Sequence, residues 1–340
     1  MQIEFQILRQ TRETAPTIER FMVDADPSET ILSCLNRIKW EQDGSLAFRK
    51  NCRNTICGSC SMRINGRSTL ACKENIAGEM ARMELAAGET PTMTIAPLGN
   101  LPVIKDLVVD MQPFWDDLEK VEPYVSTASR QLPEREFLQS PDDRAKFDAT
   151  GNCILCGACY SECNAKEVNP EFVGPHALAK AQRLLADNRD DRHDARLEQF
   201  NNTESGVWGC TRCFFCNSVC PMEVAPLDRI SQIKGEILDR STKEDSRPIR
   251  HRKVLLELVE QGGWVDERKF SVQVIGNYFK DLKGLLSLAP VGLRVIARGK
   301  FPTHFDPSDG TAEVRSLIAA VKAEPPATTQ AKTQATTSQP

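Results

Sequence analysis

The sequence contains no long hydrophobic run. Its best candidate, residues 284–293, has only ten uncharged residues and includes Pro290. That falls short of the roughly 20 apolar residues that span a bilayer, so a soluble or peripherally attached chain is expected. A basic surplus is also missing. The 43 Lys and Arg stand against 47 Asp and Glu, a formal net charge of −4, which argues against nucleic-acid binding. The chain opens Met-Gln-Ile-Glu-Phe, without the basic start of an export signal. Export is therefore not expected, and neither is a disulfide framework. What the chain has is cysteine: 13 in 340 residues, far too many for an ordinary reduced enzyme unless they bind something. Twelve fall into three sets of four. Cys34 is left over, in the apolar-patterned stretch 30–40, and reads as a small buried hydrophobe. The length accommodates two modest domains and a tail.

Two runs organise the chain, Cys153-Ile-Leu-Cys156-Gly-Ala-Cys159-Tyr-Ser-Glu-Cys163 and Cys210-Thr-Arg-Cys213-Phe-Phe-Cys216-Asn-Ser-Val-Cys220-Pro221. Each has the spacing C-x2-C-x2-C-x3-C of two-cluster ferredoxins. There, three thiolates hold one cubane and the fourth reaches across to the other. Two cubanes with swapped fourth ligands are expected: Cys153, Cys156, Cys159 and Cys220 for one, Cys210, Cys213, Cys216 and Cys163 for the other. Structural zinc is the competing reading, since four-cysteine zinc sites also use C-x2-C pairs. Zinc gives no reason for a third cysteine, and a fourth after three residues, in both runs.

A third set lies upstream. Cys52-Arg-Asn-Thr-Ile-Cys57-Gly-Ser-Cys60, with Cys72 after eleven intervening residues, has the C-x4-C-x2-C spacing of a plant-type [2Fe–2S] loop. Three thiolates converging from one segment require an irregular backbone. Gly58 can take positive φ and let backbone N–H groups point at sulfide. Arg49, Lys50 and Arg53 add positive potential nearby, or simply form a solvated basic patch. Around the loop, residues 2–8 alternate as a strand, residues 20–23 can pair with it, and residues 30–42 show helical periodicity. Residues 61–64 and 68–71 flank Asn65-Gly66, a strong hairpin signal that would return Cys72 to the cluster. Residues 93–95 read as a closing strand, and 103–110 as a strand or short helix.

The polar stretch 124–148 reads as a connector that packs along a surface. Residues 175–186 and 226–238 are helical patterns, and the mixed-charge stretch 187–196 reads as a solvated turn and helix start. The cubane runs then sit at turns in a mostly helical domain, whose folding depends on its clusters. Residues 251–262 form an amphipathic helix. Residues 279–296 are apolar with Lys280, Lys283, Arg294 and Arg298 around them. They suit either an anionic membrane or partner, or packing on this protein. The Pro-, Ala-, Thr- and Gln-rich end should be disordered.

A plant-type loop followed by two crossed cubane runs resembles the iron–sulfur subunit of succinate dehydrogenase and fumarate reductase. Cys153-Ile-Leu-Cys156-Gly-Ala-Cys159, Phe172-Val-Gly-Pro175, Asp187-Asn-Arg-Asp190, Asp194-Ala-Arg-Leu197 and Val219-Cys-Pro221 carry the likeness over residues 1–240. The resemblance implies an α+β chain: a β-grasp [2Fe–2S] ferredoxin-type domain (1–110), a connector (111–150) and an α-helical domain with two cubane clusters (151–240); beyond its reach the residue pattern itself predicts a helical extension (241–322) and a disordered tail (323–340). It implies an oxidoreductase subunit of the tricarboxylic acid cycle that relays electrons from the FAD of a flavoprotein partner toward quinone. The chain would have no substrate site of its own and would sit peripherally on the cytoplasmic face of a membrane. Fumarate reduction, or a linker role in another flavin-dependent complex, is the alternative.

Two departures from the family pattern matter. Most members lack a cysteine at the position of Cys213 and hold a [3Fe–4S] third cluster. Here the set is complete, as in an unconventional subgroup, so [4Fe–4S] is expected, with [3Fe–4S] the alternative. Typical members also place tryptophans after the fourth cysteine and a histidine beside the first cysteine of the second run. Here Asn164-Ala-Lys-Glu-Val follows Cys163, and Thr211 follows Cys210. This points to a different electron exit, such as a cysteine-rich anchor subunit.

Overall fold

The computed structural model describes residues 1–83, 90–242, 246–300 and 304–323. Backbone contacts divide the chain into two units, Met1–Lys234 and Gly235–Pro340.

The first unit begins with β1 (Gln2–Arg9), whose alternating Ile3, Phe5 and Ile7 point into a core. It pairs antiparallel with β2 (Thr17–Asp24). Thr30 caps α1 (Ile31–Arg37) by accepting from the Ser33 amide, and a π-helical turn (Ile38–Gln42) prolongs it. The hairpin of β3 (Ser61–Ile64) and β4 (Arg67–Leu70) turns at Asn65 and Gly66, both with positive φ, as a tight right-twisted hairpin requires. A short helix that the sequence pattern did not suggest, α2 (Ile76–Arg82), follows and is capped by Asn75. β5 (Thr92–Ala96) then runs parallel to β1 and antiparallel to β3. The sheet order is β2-β1-β5-β3-β4. Ile31, Leu35 and Ile38 share one apolar cluster with the sheet residues Ile3, Phe5, Met62 and Ile95. This is the mixed ferredoxin-like sheet gripping a helix. Residues 103–110 form neither one strand nor a helix, but a small hairpin of β6 (Val103–Lys105) and β7 (Val108–Val109).

The chain then becomes helical. α3 (Gln112–Glu119) packs beside the later α8 and buries Phe114 against Tyr160 and His176. Next come α4 (Pro141–Ala145), α5 (Asp148–Gly151), α6 (Ala158–Ser161) and α7 (Asn164–Val168), each of four or five residues. Longer elements follow: α8 (Gly174–Leu185) and α9 (His193–Phe200), then the four-residue α10 (Phe215–Ser218) and α11 (Pro226–Arg240). α8 buries Ala177, Leu178, Ala181 and Leu184, and α11 buries Leu227, Ile230 and Ile233, as their periodicity predicts.

The helix start expected within 187–196 is met by α9 at His193, but the turn before it is not the solvated one expected. Asp187, Asp190 and Arg196 are buried, Arg196 completely. Burial is tolerated because every guanidinium N–H has an acceptor. Nε and Nη2 donate to Asp190 at 3.1 and 3.0 Å, Nη1 to the carbonyls of Val121 and Glu122 at 3.2 Å each, and Nη2 also to that of Tyr124 at 2.8 Å. The connector is pinned to the same turn. Ser126 N–H donates to Asp190 at 3.0 Å, Ser129 N–H to Asp191 at 2.6 Å, and Arg130 to the carbonyl of Asn188 at 2.6 Å.

In the second unit, α12 (Arg247–Gly262) and α13 (Glu267–Val274) pack through Val254, Leu258 and Val274. α14 (Leu282–Ser287) and α15 (Ala289–Ala297) bury no residue. The stretch read as one apolar segment is thus two exposed helices. α16 (Thr311–Ala323) lies against α12, with Lys322 on Glu260 at 2.8 Å. Ala323 ends this helix, and the rest of the expected disordered tail lies outside the described residues. Among the described residues no helix is long and apolar enough to cross a membrane.

Candidate metal centres

The [2Fe–2S]-type loop follows the π-helical turn and turns back on itself through positive φ at Arg53, Thr55 and Gly58. This turns amides inward. Cys52 and Cys57 exchange N–H···S contacts at 3.4 Å, Asn54 N–H donates to the Cys52 sulfur at 3.3 Å, and Thr55 N–H to the Cys72 sulfur at 3.3 Å. Cys72 is returned by the β3–β4 hairpin. The thiols differ in environment. Cys52 is exposed and Cys60 buried. Hydrogen bonding from Ser59, ahead of the amide contacts, holds Cys57 down at about 6, and burial pushes Cys60 up to about 12. Of the expected basic patch, Arg53 is exposed, whereas Arg49 and Lys50 are half-buried and both are lowered, first by burial.

The other eight cysteines lie in two neighbouring groups. Cys153, Cys156, Cys159 and Cys220 line one apolar pocket, walled by Phe114, His176 and Pro226 among others. Burial, then its neighbours Cys153 and Cys220, push Cys156 up to about 11. Burial pushes Cys163 up to about 11, and the nearby charges of Cys210 and Cys213 add to this. Cys216 rises to about 12 for the same reasons, burial first, then Cys210, Cys163 and Cys213. Cys163 therefore lies with the second run and Cys220 with the first. Cys159, half-buried, is raised well above its ordinary range by desolvation first, then by Cys156 and Cys153, and also by Cys216 of the other group.

The sets follow one another in space. Gly58 sits so close to the first cubane run that a Cβ added there would lie 2.9 Å from the Cys156 Cα. Lys73, next to Cys72, donates to the carbonyl of Pro221, next to Cys220, at 3.3 Å. Arg63 of β3 makes a bidentate pair with Glu162 at 2.9 and 3.1 Å, and Asn100 donates to the carbonyls of Tyr160, Ser161 and Cys163.

This donor set suits iron–sulfur clusters. Deprotonated, the thiols would be buried anions repelling one another, and bound iron removes that penalty while the inward amides favour added negative charge. Among the described residues no three His, Cys, Asp or Glu side chains are grouped as for a single metal ion.

Known proteins carry the same pattern. Residues 4–116 match the family model of the 2Fe-2S iron-sulfur cluster binding domain, and residues 149–224 that of the 4Fe-4S dicluster domain. The chain is 37% identical over 240 residues to succinate dehydrogenase [ubiquinone] iron-sulfur subunit 3, mitochondrial, of Arabidopsis thaliana, covering 69% of this chain and 75% of that protein. It is 37% identical over 224 residues to the fumarate reductase iron-sulfur subunit of Escherichia coli, covering 66% and 87%. The chain belongs to the iron–sulfur subunit family of succinate dehydrogenase and fumarate reductase. A chain of the Mycobacterium smegmatis Sdh1 complex in the apo form superposes with a TM-score of 0.60 at 25% identity, over 71% of this chain and 97% of that one. As a member of this family the protein is a redox-active electron carrier, with a [2Fe–2S] domain and a [4Fe–4S] dicluster domain.

The sequence reading missed an internal repeat in backbone conformation. Leu155 and Gly157 flank Cys156 with positive φ, and Arg212 and Phe214 flank Cys213 in the same way. Both cubane loops turn identically, although only the first has a glycine to signal it. Phe214, half-exposed beside exposed Cys213, takes φ 75° where Gly157 takes 84°.

Proposed function

We propose that this chain is the electron-transfer subunit of a succinate dehydrogenase, relaying single electrons from the FAD of a flavoprotein partner toward quinone. When bound, the clusters supply one-electron acceptor sites. Cys52, Cys57, Cys60 and Cys72 hold the [2Fe–2S] cluster. Cys153, Cys156, Cys159 and Cys220 hold the first [4Fe–4S] cluster. Cys163, Cys210, Cys213 and Cys216 hold a third, also [4Fe–4S], which puts the chain in the unconventional subgroup. The domain division proposed is 1–110, 111–150, 151–240 and the extension beyond.

One observation supports this reading best. The three cysteine sets adjoin one another in order: Gly58 abuts Cys156, and α6 with Cys159 packs against α10 with Cys216. A relay needs that order, and independent structural metal sites do not. The family's tryptophans and histidine near the third set are replaced, so a cysteine-rich or otherwise unusual anchor subunit is the proposed acceptor, on the cytoplasmic face of a membrane. The equal identity to a fumarate reductase subunit keeps the reverse direction as a second reading.

The test is anaerobic co-purification. A succinate-oxidising flavoprotein should accompany the chain, which itself should contain about ten irons and ten labile sulfides. Replacing Cys213 by serine should remove about one iron and produce a [3Fe–4S] signal in electron paramagnetic resonance. That signal at full strength in fresh, active wild-type complex would overturn the third assignment. Zinc in place of iron would overturn all three.

A further inference from the structure

The stretch 246–300 is opposite in sign to the rest of the chain. It holds eleven basic side chains against five acidic ones, in a chain whose net charge is −4. Within it, α14 and α15 bury no residue. Phe279, Leu282, Leu286, Val291, Leu293 and Ile296 are all more than half exposed. Surface of this kind gains about 25 cal/mol for each Å² removed from water, and contiguous apolar patches mark interaction sites. A helix of nine residues, like α15, is also not self-sustaining in water. Something else covers this face.

The composition selects the cover. Lys280, Lys283, Arg294, Arg298 and Lys300 surround the apolar residues, with Asp281 the only acid in 279–300. Arg294 lies in the last turn of α15 and Arg298 caps its C-terminus. A second copy of this chain would bring the same positive charge and be repelled. An anionic leaflet matches both features: its acyl boundary takes Leu, Val and Ile, and its headgroups take the cations, whose long stems can lie along the apolar surface. Neither helix is long enough to cross, so both would lie in the interface plane.

We propose that residues 279–300 dock this protein directly onto an anionic lipid bilayer. This deepens the peripheral location proposed above, and its test reads lipid binding separately from cluster content.

The experiment is co-sedimentation of the full iron-loaded chain with vesicles of phosphatidylcholine alone or with phosphatidylglycerol added. Binding is expected on the anionic vesicles, falling with added salt as screening shortens the reach of each charge. Each basic side chain at such a surface contributes about a five-fold factor. R294E/R298E should therefore lower partitioning by roughly 25-fold or more, and L293E/I296E should abolish it. Iron content should match wild type in both, since neither pair is buried. Equal binding to neutral and anionic vesicles, or binding indifferent to both variants, would overturn the proposal. So would variants that lose iron, because the segment would then support the fold. Concentration-dependent dimerisation lost in L293E/I296E, without vesicle binding, would overturn it in favour of a second copy.

Discussion

The sheet region and the helical region of the first unit both carry the proposed cluster ligands, but they hold those cysteines in different ways. In the sheet region the ligand loop is an appendage. Five paired strands and α1 share a closed apolar core, and Cys52 at the loop's tip is exposed. In the helical region the ligands are the framework. Cys159 lies on four-residue α6, Cys163 precedes five-residue α7, and Cys216 lies on four-residue α10. Helices that short do not persist alone. The lesson is that the same cofactor chemistry can decorate one fold and hold another together. Removing the clusters should separate the two regions most strongly. Chelation under oxidising conditions, or Cys159→Ser, is expected to melt the helices of 151–234 and leave the sheet intact. Hydrogen exchange would show protection lost on α8 and α11 and kept on β1 and β5. Uniform loss across both would break the comparison.

The next largest effect concerns polar pins. Each region has a buried or nearly buried arginine hub. Arg9 of the sheet reaches Glu19, Asp43 and Asp106, with its side chain still 14% exposed. Arg196 of the helices is 0% exposed and closes on Asp190 and three carbonyls. Arg196→Met leaves Asp190 buried and uncompensated, at a cost of about 3–5 kcal/mol. Arg9→Met should cost less, because water can reach two of its three partners, Glu19 and Asp43. Thermal melting of the two variants checks the order: the midpoint of Arg196→Met should fall by roughly 10 °C or more.

A smaller effect is expected at the seam between the regions. Gly58→Ala keeps an unfavourable φ of +69° and drives a methyl to 2.9 Å from the Cys156 backbone. A penalty of about 1–3 kcal/mol is expected. It should be read as a less stable [2Fe–2S] signal with the cubane signals retained. Loss of all signals together would mean that the loop supports the helical region, against the comparison drawn here.

Much of this division was legible in the sequence. Cysteine spacing is a local property, so the three sets, Gly58 and the Asn65-Gly66 hairpin could be read directly. Strand alternation in β1 and helical periodicity in α8 and α11 were equally visible. What escaped is non-local or weakly periodic. Arg196 is bonded to carbonyls 72 to 75 residues away, and nothing in 187–196 announces them, so a charged stretch looked solvated. α2 has seven residues with a glycine inside, too few for a period to emerge. Phe214 takes a conformation favoured by glycine, and only its match with Gly157 in the finished fold reveals why.

Cys34 allows the finest comparison, because it is a buried cysteine without a cluster. It lies in the sheet core at 0% exposure. Burial, with Glu29 adding to it, pushes the thiol up to about 11 from an ordinary 9.0. Its folded value is raised above the unfolded one. Its contribution to stability is therefore complete below pH 9 and is lost as pH climbs from 9 toward 11. Cys34→Ala should cost only about 1 kcal/mol at pH 8, with iron content unchanged, in contrast to Cys159→Ser. It should also flatten the alkaline decline. Between pH 8.5 and 10 the wild type should lose about 1 kcal/mol relative to the variant, measurable as converging melting midpoints. Parallel curves would mean that the thiol is not held neutral by the core, and iron loss in the variant would make Cys34 part of a metal centre instead of its hydrocarbon surroundings.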